Sequence, residues 1–171
     1  MRIIVESAAD LGDDLKALFR VAFPARAPSD PFFGLSWAPK DYRVIVRDEQ
    51  GQLCSNVAFL LRRCLLNDEP VTVGGIGSVS TMPDRRGQGI ASVALERACH
   101  ELKLRGADFG LLFCMPTMPG FYSRSGWRLF DGEVLVEQPG KGSVPFTFGK
   151  CMSLDMKQSP KGRLDLCGLP W

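Results

Sequence analysis

The period of apolar and polar positions changes several times along the chain, and each change marks an element. Arg2 to Glu6 reads as a first strand. From Asp10 to Phe23 the apolar residues Leu11, Leu15, Leu18 and Phe19 share one helical face, with Asp10 placed to cap the helix and Pro24 to stop it. Tyr42 to Arg47 and Leu53 to Leu65 are β-rich runs joined by the turn signal Asp48-Glu49-Gln50-Gly51. A second turn at Asn67-Asp68-Glu69 leads into Val71 to Thr81, so three antiparallel strands follow in sequence. The spacing then becomes helical from Gly87 to Arg105, where Ile90, Val93, Ala94, Arg97 and Ala98 form one face and Gly106 ends the helix. Phe109 to Met115 is a continuous apolar run of the kind found in central strands. A short helix over Pro116 to Ser125, a strand over Trp127 to Phe130, a Gly/Pro-rich connector over Gln138 to Pro145 and a late strand over Phe146 to Leu154 complete the pattern. The order is α+β: a mixed, mostly antiparallel sheet flanked by helices, made locally parallel by one strand-helix-strand crossover.

A chain of 171 residues, 45% of them hydrophobic, has room for one core, so residues 1–171 are expected to form a single domain. No apolar run approaches the roughly 20 residues that cross a bilayer, and the first residues become charged too early for a signal peptide, so a soluble, cytoplasmic protein without membrane contact is expected. The formal charge of +2 is too small for general nucleic-acid binding, although Arg85-Arg86 is a local patch suited to a small anion. Six dispersed cysteines with no CxxC pair, and the one histidine His100, point to reduced thiols and no metal site. His100 reads as a surface or packing residue, Cys114 as a small buried apolar group, and Asp84-Arg85 as a solvated turn pair.

The chemistry concentrates where the crossover begins. Thr81-Met82-Pro83-Asp84-Arg85-Arg86-Gly87-Gln88-Gly89-Ile90-Ala91-Ser92 places a strand end, a turn and a helix start in one run. A helix N-terminus of this kind offers unpaired N–H groups and a positive dipole end to a pyrophosphate. The loop is not a Walker loop, because no Gly-Lys-Ser/Thr follows, and the third glycine of a dinucleotide fingerprint is absent.

Arg86-x-x-Gly89-x-Ala91 resembles the acyl-CoA-binding motif of the GNAT N-acetyltransferase family, and Phe121-Tyr122-Ser123-Arg124-Ser125-Gly126-Trp127 resembles the same family's downstream tyrosine element. The resemblance implies a GNAT fold whose two central strands splay into a V, with acetyl-CoA as acyl donor. It implies that Arg86, Gly87, Gln88, Gly89, Ile90, Ala91 and Ser92 hold the pyrophosphate. It further implies that backbone groups of Val79, Ser80 and Thr81 guide the pantetheine arm, and that a backbone N–H near Val79 holds the oxyanion. Tyr122 becomes the acid that protonates the departing thiolate, which suits a phenol of pKa about 10 facing a thiol of about 8.5.

The acceptor is then a small-molecule amine, and its base is the missing part. Many relatives carry a carboxylate on the strand before the loop, whereas Val71 to Ser78 has none and Gly77 stands near that position. Neutralising a lysine-like amine at pH 7 costs roughly 4 to 5 kcal/mol, against about 1 to 1.5 kcal/mol for an amine of pKa near 8, so a low-pKa acceptor is favoured. Asp165 or the α-carboxylate of Trp171 is an alternative base. The Trp171 ending and the aromatic loop Pro24 to Lys40 resemble the aminoglycoside 2'-N-acetyltransferase branch. Acidic residues are sparse, however, and Phe32, Phe33, Trp37 and Trp171 favour a more apolar acceptor than a polycation. Two other readings stay open: a longer-chain N-acyltransferase, and a CoA-binding sensor without catalysis. The sequence also leaves a homodimer open.

Overall fold

The computed structural model describes residues 1–171. Its elements are β1 (Arg2–Ser7), α1 (Asp13–Ala22), β2 (Tyr42–Arg47), β3 (Leu53–Leu66), β4 (Glu69–Thr81), a 3-10 turn (Pro83–Arg85), α2 (Ile90–Leu104), β5 (Phe109–Cys114), α3 (Pro119–Ser123), β6 (Arg128–Leu129), β7 (Asp131–Gln138), β8 (Gly142–Pro145), β9 (Lys150–Asp155) and β10 (Lys161–Asp165).

All ten strands join one sheet in the spatial order β6, β9, β5, β4, β3, β10, β7, β8, with β2 and then β1 added beside the first half of β3. The pairs β4–β5 and β7–β10 are parallel. The β3–β4 hairpin turns on Asn67 and Asp68, whose φ values of 52° and 67° are the pair that a two-residue hairpin of native twist requires.

Helix α2 covers one face of the sheet. Its inner residues Ile90, Ala94, Leu95, Ala98, Cys99 and Leu102 pack on Val44, Val57, Phe59, Ile76 and Leu112. Val93 and Arg97 were expected on that face, but the i, i+4 row through Ile90, Ala94, Ala98 and Leu102 turns them outward. On the opposite face, Val73, Phe109, Leu111 and Phe113 pack with Val134, Val136, Leu164, Leu166 and Trp171.

Two sequence expectations are corrected, and one strand without an expectation is added. Helix α1 is capped at Gly12 rather than Asp10, because Gly12 is still extended, and Leu11 lies outside the helix and exposed. Gln138 to Pro145 is not a connector: it is the turn and second strand of the β7–β8 hairpin. Residues Lys161 to Asp165, with one strongly apolar side chain, form β10, which enters the sheet between β3 and β7.

The feature that makes a site is a bulge in β4. Strand β4 pairs with β5 only from Val73 to Ile76. Just beyond, Ser78 has φ 50° and the register with β3 slips between Asn56 and Ala58. The Asn56 side-chain amide donates to the Ser78 carbonyl at 2.8 Å and holds the bulge, which bends the end of β4 away from β5.

Candidate active site

After Thr81 the chain makes the 3-10 turn and passes through Gly87 and Gly89, with φ of 75° and 76°, before α2 begins. Neither glycine is crowded, so backbone conformation alone demands them. Ser92 and Val93 donate to the Gly89 carbonyl, and Arg86 to Pro83. Between them the amides of Gly87, Gln88, Gly89, Ile90 and Ala91 have no acceptor within the protein. Five consecutive free N–H groups at a helix N-terminus are oriented to donate to an anion. The exposed Arg86 guanidinium is tethered to the Thr81 carbonyl at 3.3 Å. Arg85, expected to pair only within its turn, also binds Asp48 at 2.8 Å and ties the loop to the β2–β3 hairpin.

A cavity of about 900 Å³ opens where β4 and β5 part, lined by Gly77, Ser78 and Val79 from one strand and Phe113, Cys114 and Met115 from the other. Of the three expected pantetheine-guiding residues, Val79 lines this cavity. Ser80 and Thr81 continue the strand toward the loop: Ser80 Oγ donates to the Ser78 carbonyl within β4, and Thr81 Oγ1 meets Ser55 Oγ of β3 at 3.0 Å.

Tyr122 on α3 reaches the cavity from the β5 side. Its ring is buried and packs edge-on against Phe121 at 4.9 Å, while its hydroxyl has no partner in the protein. Burial, with the nearby Cys114 adding to it, pushes its pKa well above the usual phenol value, so it stays a proton donor. Cys114 is itself pushed up to about 11 by burial and is held as a thiol.

The far wall is aromatic. Trp171 is buried, its indole N–H donates to the Leu111 carbonyl at 3.1 Å, and its ring lies against Gly75, where any side chain would collide with it. Trp37 stacks edge-on with Phe32 at 5.2 Å and faces Phe113 at 6.5 Å. The carboxyl carbon of Trp171 stands 3.3 Å from the point that a Cβ on Gly77 would occupy.

Two expected substrate residues are not brought to the cavity. Phe33 points outward, 52% exposed, and its neighbour Phe32 lines the cavity instead. Asp165 sits on β10, where its carboxylate accepts the Cys167 amide at 2.8 Å. Sequence reasoning missed Lys40, which lines the cavity beside Gly77 and donates to the Ala38 carbonyl at 2.9 Å. Burial, reinforced by repulsion from Arg62, lowers its pKa from 10.5 to about 8. A lone lysine at the end of a proline-rich loop carries no periodic signal that would have singled it out. No group of three or more His, Cys, Asp or Glu side chains is placed to hold a metal, and no helix is long and apolar enough to cross a membrane.

The sequence profile described as the acetyltransferase (GNAT) domain matches residues 7–130. The chain belongs to the GNAT family. This GNAT chain is 34% identical over 90 residues to the aminoglycoside 2'-N-acetyltransferase of Mycolicibacterium fortuitum, an alignment covering 52% of this chain and 45% of that one. It therefore spans less than half the length of that curated relative. Among solved structures, a GNAT family N-acetyltransferase of Escherichia coli in complex with CoA aligns with a TM-score of 0.64 at 18% identity, covering 96% of this chain and 89% of the other. An acyl-CoA N-acyltransferase of Pseudomonas aeruginosa aligns with a TM-score of 0.58 at 19% identity, covering 90% and 98%. The half-curled mixed sheet with few helices is thus the GNAT fold.

Proposed function

We propose that this GNAT chain is an N-acetyltransferase that moves the acetyl group of acetyl-CoA to a primary amine of a small molecule by direct transfer. The observation that carries the reading is a continuous path along β4: five unpartnered amides at the start of α2, then a cavity at the β4–β5 splay that Tyr122 helps to line. The glycine loop would hold the pyrophosphate, with Arg86 adding charge at its rim, and the splayed end of β4 would align the thioester beside Tyr122. The amine nitrogen forms a bond to the acetyl carbon as the carbon–sulfur bond breaks. A backbone N–H near Val79 steadies the oxyanion, Tyr122 protonates the thiolate, and the nitrogen releases its extra proton to solvent or to a nearby base. We place the protein in the cytoplasm, where its six free cysteines would stay reduced.

The test is calorimetric binding of acetyl-CoA together with CoA release in the presence and absence of amines, comparing the wild type with Tyr122→Phe. Binding with amine-stimulated, Tyr122-dependent release is expected. Binding without release for any amine would make the chain a CoA sensor, and no binding would overturn the reading.

A further inference from the structure

The charges around the cavity constrain what the acceptor can be. Its one acidic side chain, Asp30, is already committed: Arg26 holds both carboxylate oxygens at 2.9 and 2.8 Å, and the Phe32 amide donates to one of them at 2.7 Å. The remaining charged side chain is Lys40, which makes no ion pair with any acidic side chain and stands against Gly77, beside the main-chain carboxyl of Trp171. Arg62 approaches the same corner from behind the Trp171 ring, at 5.2 Å from its centroid. The rest of the wall is flat and apolar, built on Phe32, Trp37, Phe113 and Trp171.

A desolvated ammonium needs an anionic or strong acceptor partner, and each additional ammonium needs another. This cavity has no carboxylate side chain to spare and presents a cation of its own. A carboxylate on Trp171 would serve one ammonium, and the others of a polyamine would face Lys40. A flat ring, by contrast, can pack on this wall, where Trp37 is half-buried while Phe32 and Trp171 stand behind it, each with an arginine over its ring.

Resting on the N-acetyltransferase reading above, we propose that the acceptor is a monoamine carried on an aromatic body, that Trp37, backed by Phe32 and Trp171, packs on its ring, and that Lys40 excludes polycationic amines. Lys40 also favours binding of the neutral amine, so among aromatic monoamines those of lower pKa are preferred. An α-amino amide, with its amine near the peptide N-terminal value of about 8, outranks an arylalkylamine.

The experiment measures kcat/KM with acetyl-CoA for phenylalaninamide, phenethylamine, spermidine and kanamycin, after calorimetry has established acetyl-CoA binding. The expected order is phenylalaninamide above phenethylamine, with both at least 100-fold above spermidine and kanamycin. Trp37→Ala should raise KM for phenylalaninamide about tenfold while leaving the acetyl-CoA Kd within twofold. Lys40→Glu should narrow the gap to spermidine by at least tenfold. Kanamycin or spermidine as the better acceptor would overturn the substrate class and leave the transferase standing. Bound acetyl-CoA with no turnover of any amine would overturn the transferase reading itself. A decanoyl donor outperforming acetyl-CoA with every acceptor would show that the aromatic cavity houses the acyl chain, and that too overturns the proposal.

Discussion

Lys40 occupies the space that a side chain on Gly77 would fill: a Cβ built there would stand 2.7 Å from Lys40 Cε and 3.5 Å from its Nζ. The space beside this β4 glycine is therefore given to a lysine from a distant loop.

That placement has a stability signature. Burial lowers the Lys40 pKa from 10.5 to about 8, so between about pH 8 and pH 10.5 the unfolded chain binds more protons than the folded one, and stability from this group rises with pH. Below about pH 8 both states carry the ammonium and the burial penalty is present in full. Allowing for the partial exposure of Lys40, Lys40→Met should be about 2 kcal/mol more stable than the wild type at pH 7, with the difference shrinking toward pH 10. Urea unfolding across this range measures it, and a pH-independent difference would contradict the assignment.

Tyr122→Phe should lower kcat by roughly 100- to 1,000-fold with the acetyl-CoA Kd unchanged. Because burial raises the Tyr122 pKa, ionisation of this phenol should impose no alkaline limb on the wild-type rate below about pH 10. An early alkaline limb that disappears in the variant would argue against the burial seen here.

Gly89→Ala meets no neighbouring atom, so its effect isolates the backbone. A left-handed alanine costs about 1–2 kcal/mol, enough to weaken acetyl-CoA binding about tenfold if the loop relaxes away from its φ of 76°. Titration calorimetry beside thermal melting separates the loop effect from a general loss of stability.

Gly75→Ala places a methyl group 2.3 Å from the Trp171 indole and must displace it, breaking its hydrogen bond to Leu111. A loss of about 1–3 kcal/mol and a red shift of tryptophan emission are expected, with KM for the acceptor raised more than the Kd for acetyl-CoA. Unchanged emission would mean that the ring does not depend on the absent Cβ.

The glycine loop and the tyrosine element were legible because their information is local. Glycines at positive φ, a helix start and a residue at a short helix's inner face all lie within a few positions of one another. The aromatic wall was legible in composition but not in direction: Phe32 and Phe33 are adjacent, and the Asp30 carboxylate binding the Phe32 amide helps decide which turns inward. Lys40, β7, β8 and β10 were not legible. Lys40 matters only through Gly77, which lies 37 positions later in the chain. Strand β10, with its one buried leucine, is a strand because β3 and β7 leave a gap that its backbone fills.

The insertion of β10 also orders events during synthesis. The glycine loop has been made by Ser92, whereas the sheet waits for a strand that pairs with residues about 100 positions upstream, an expensive loop to close. Until then the edge of β3 at Leu65 and Leu66 is unpaired, exposing a growing chain to wrong partners. A nascent chain thus completes its glycine loop well before the strand that closes the gap between β3 and β7.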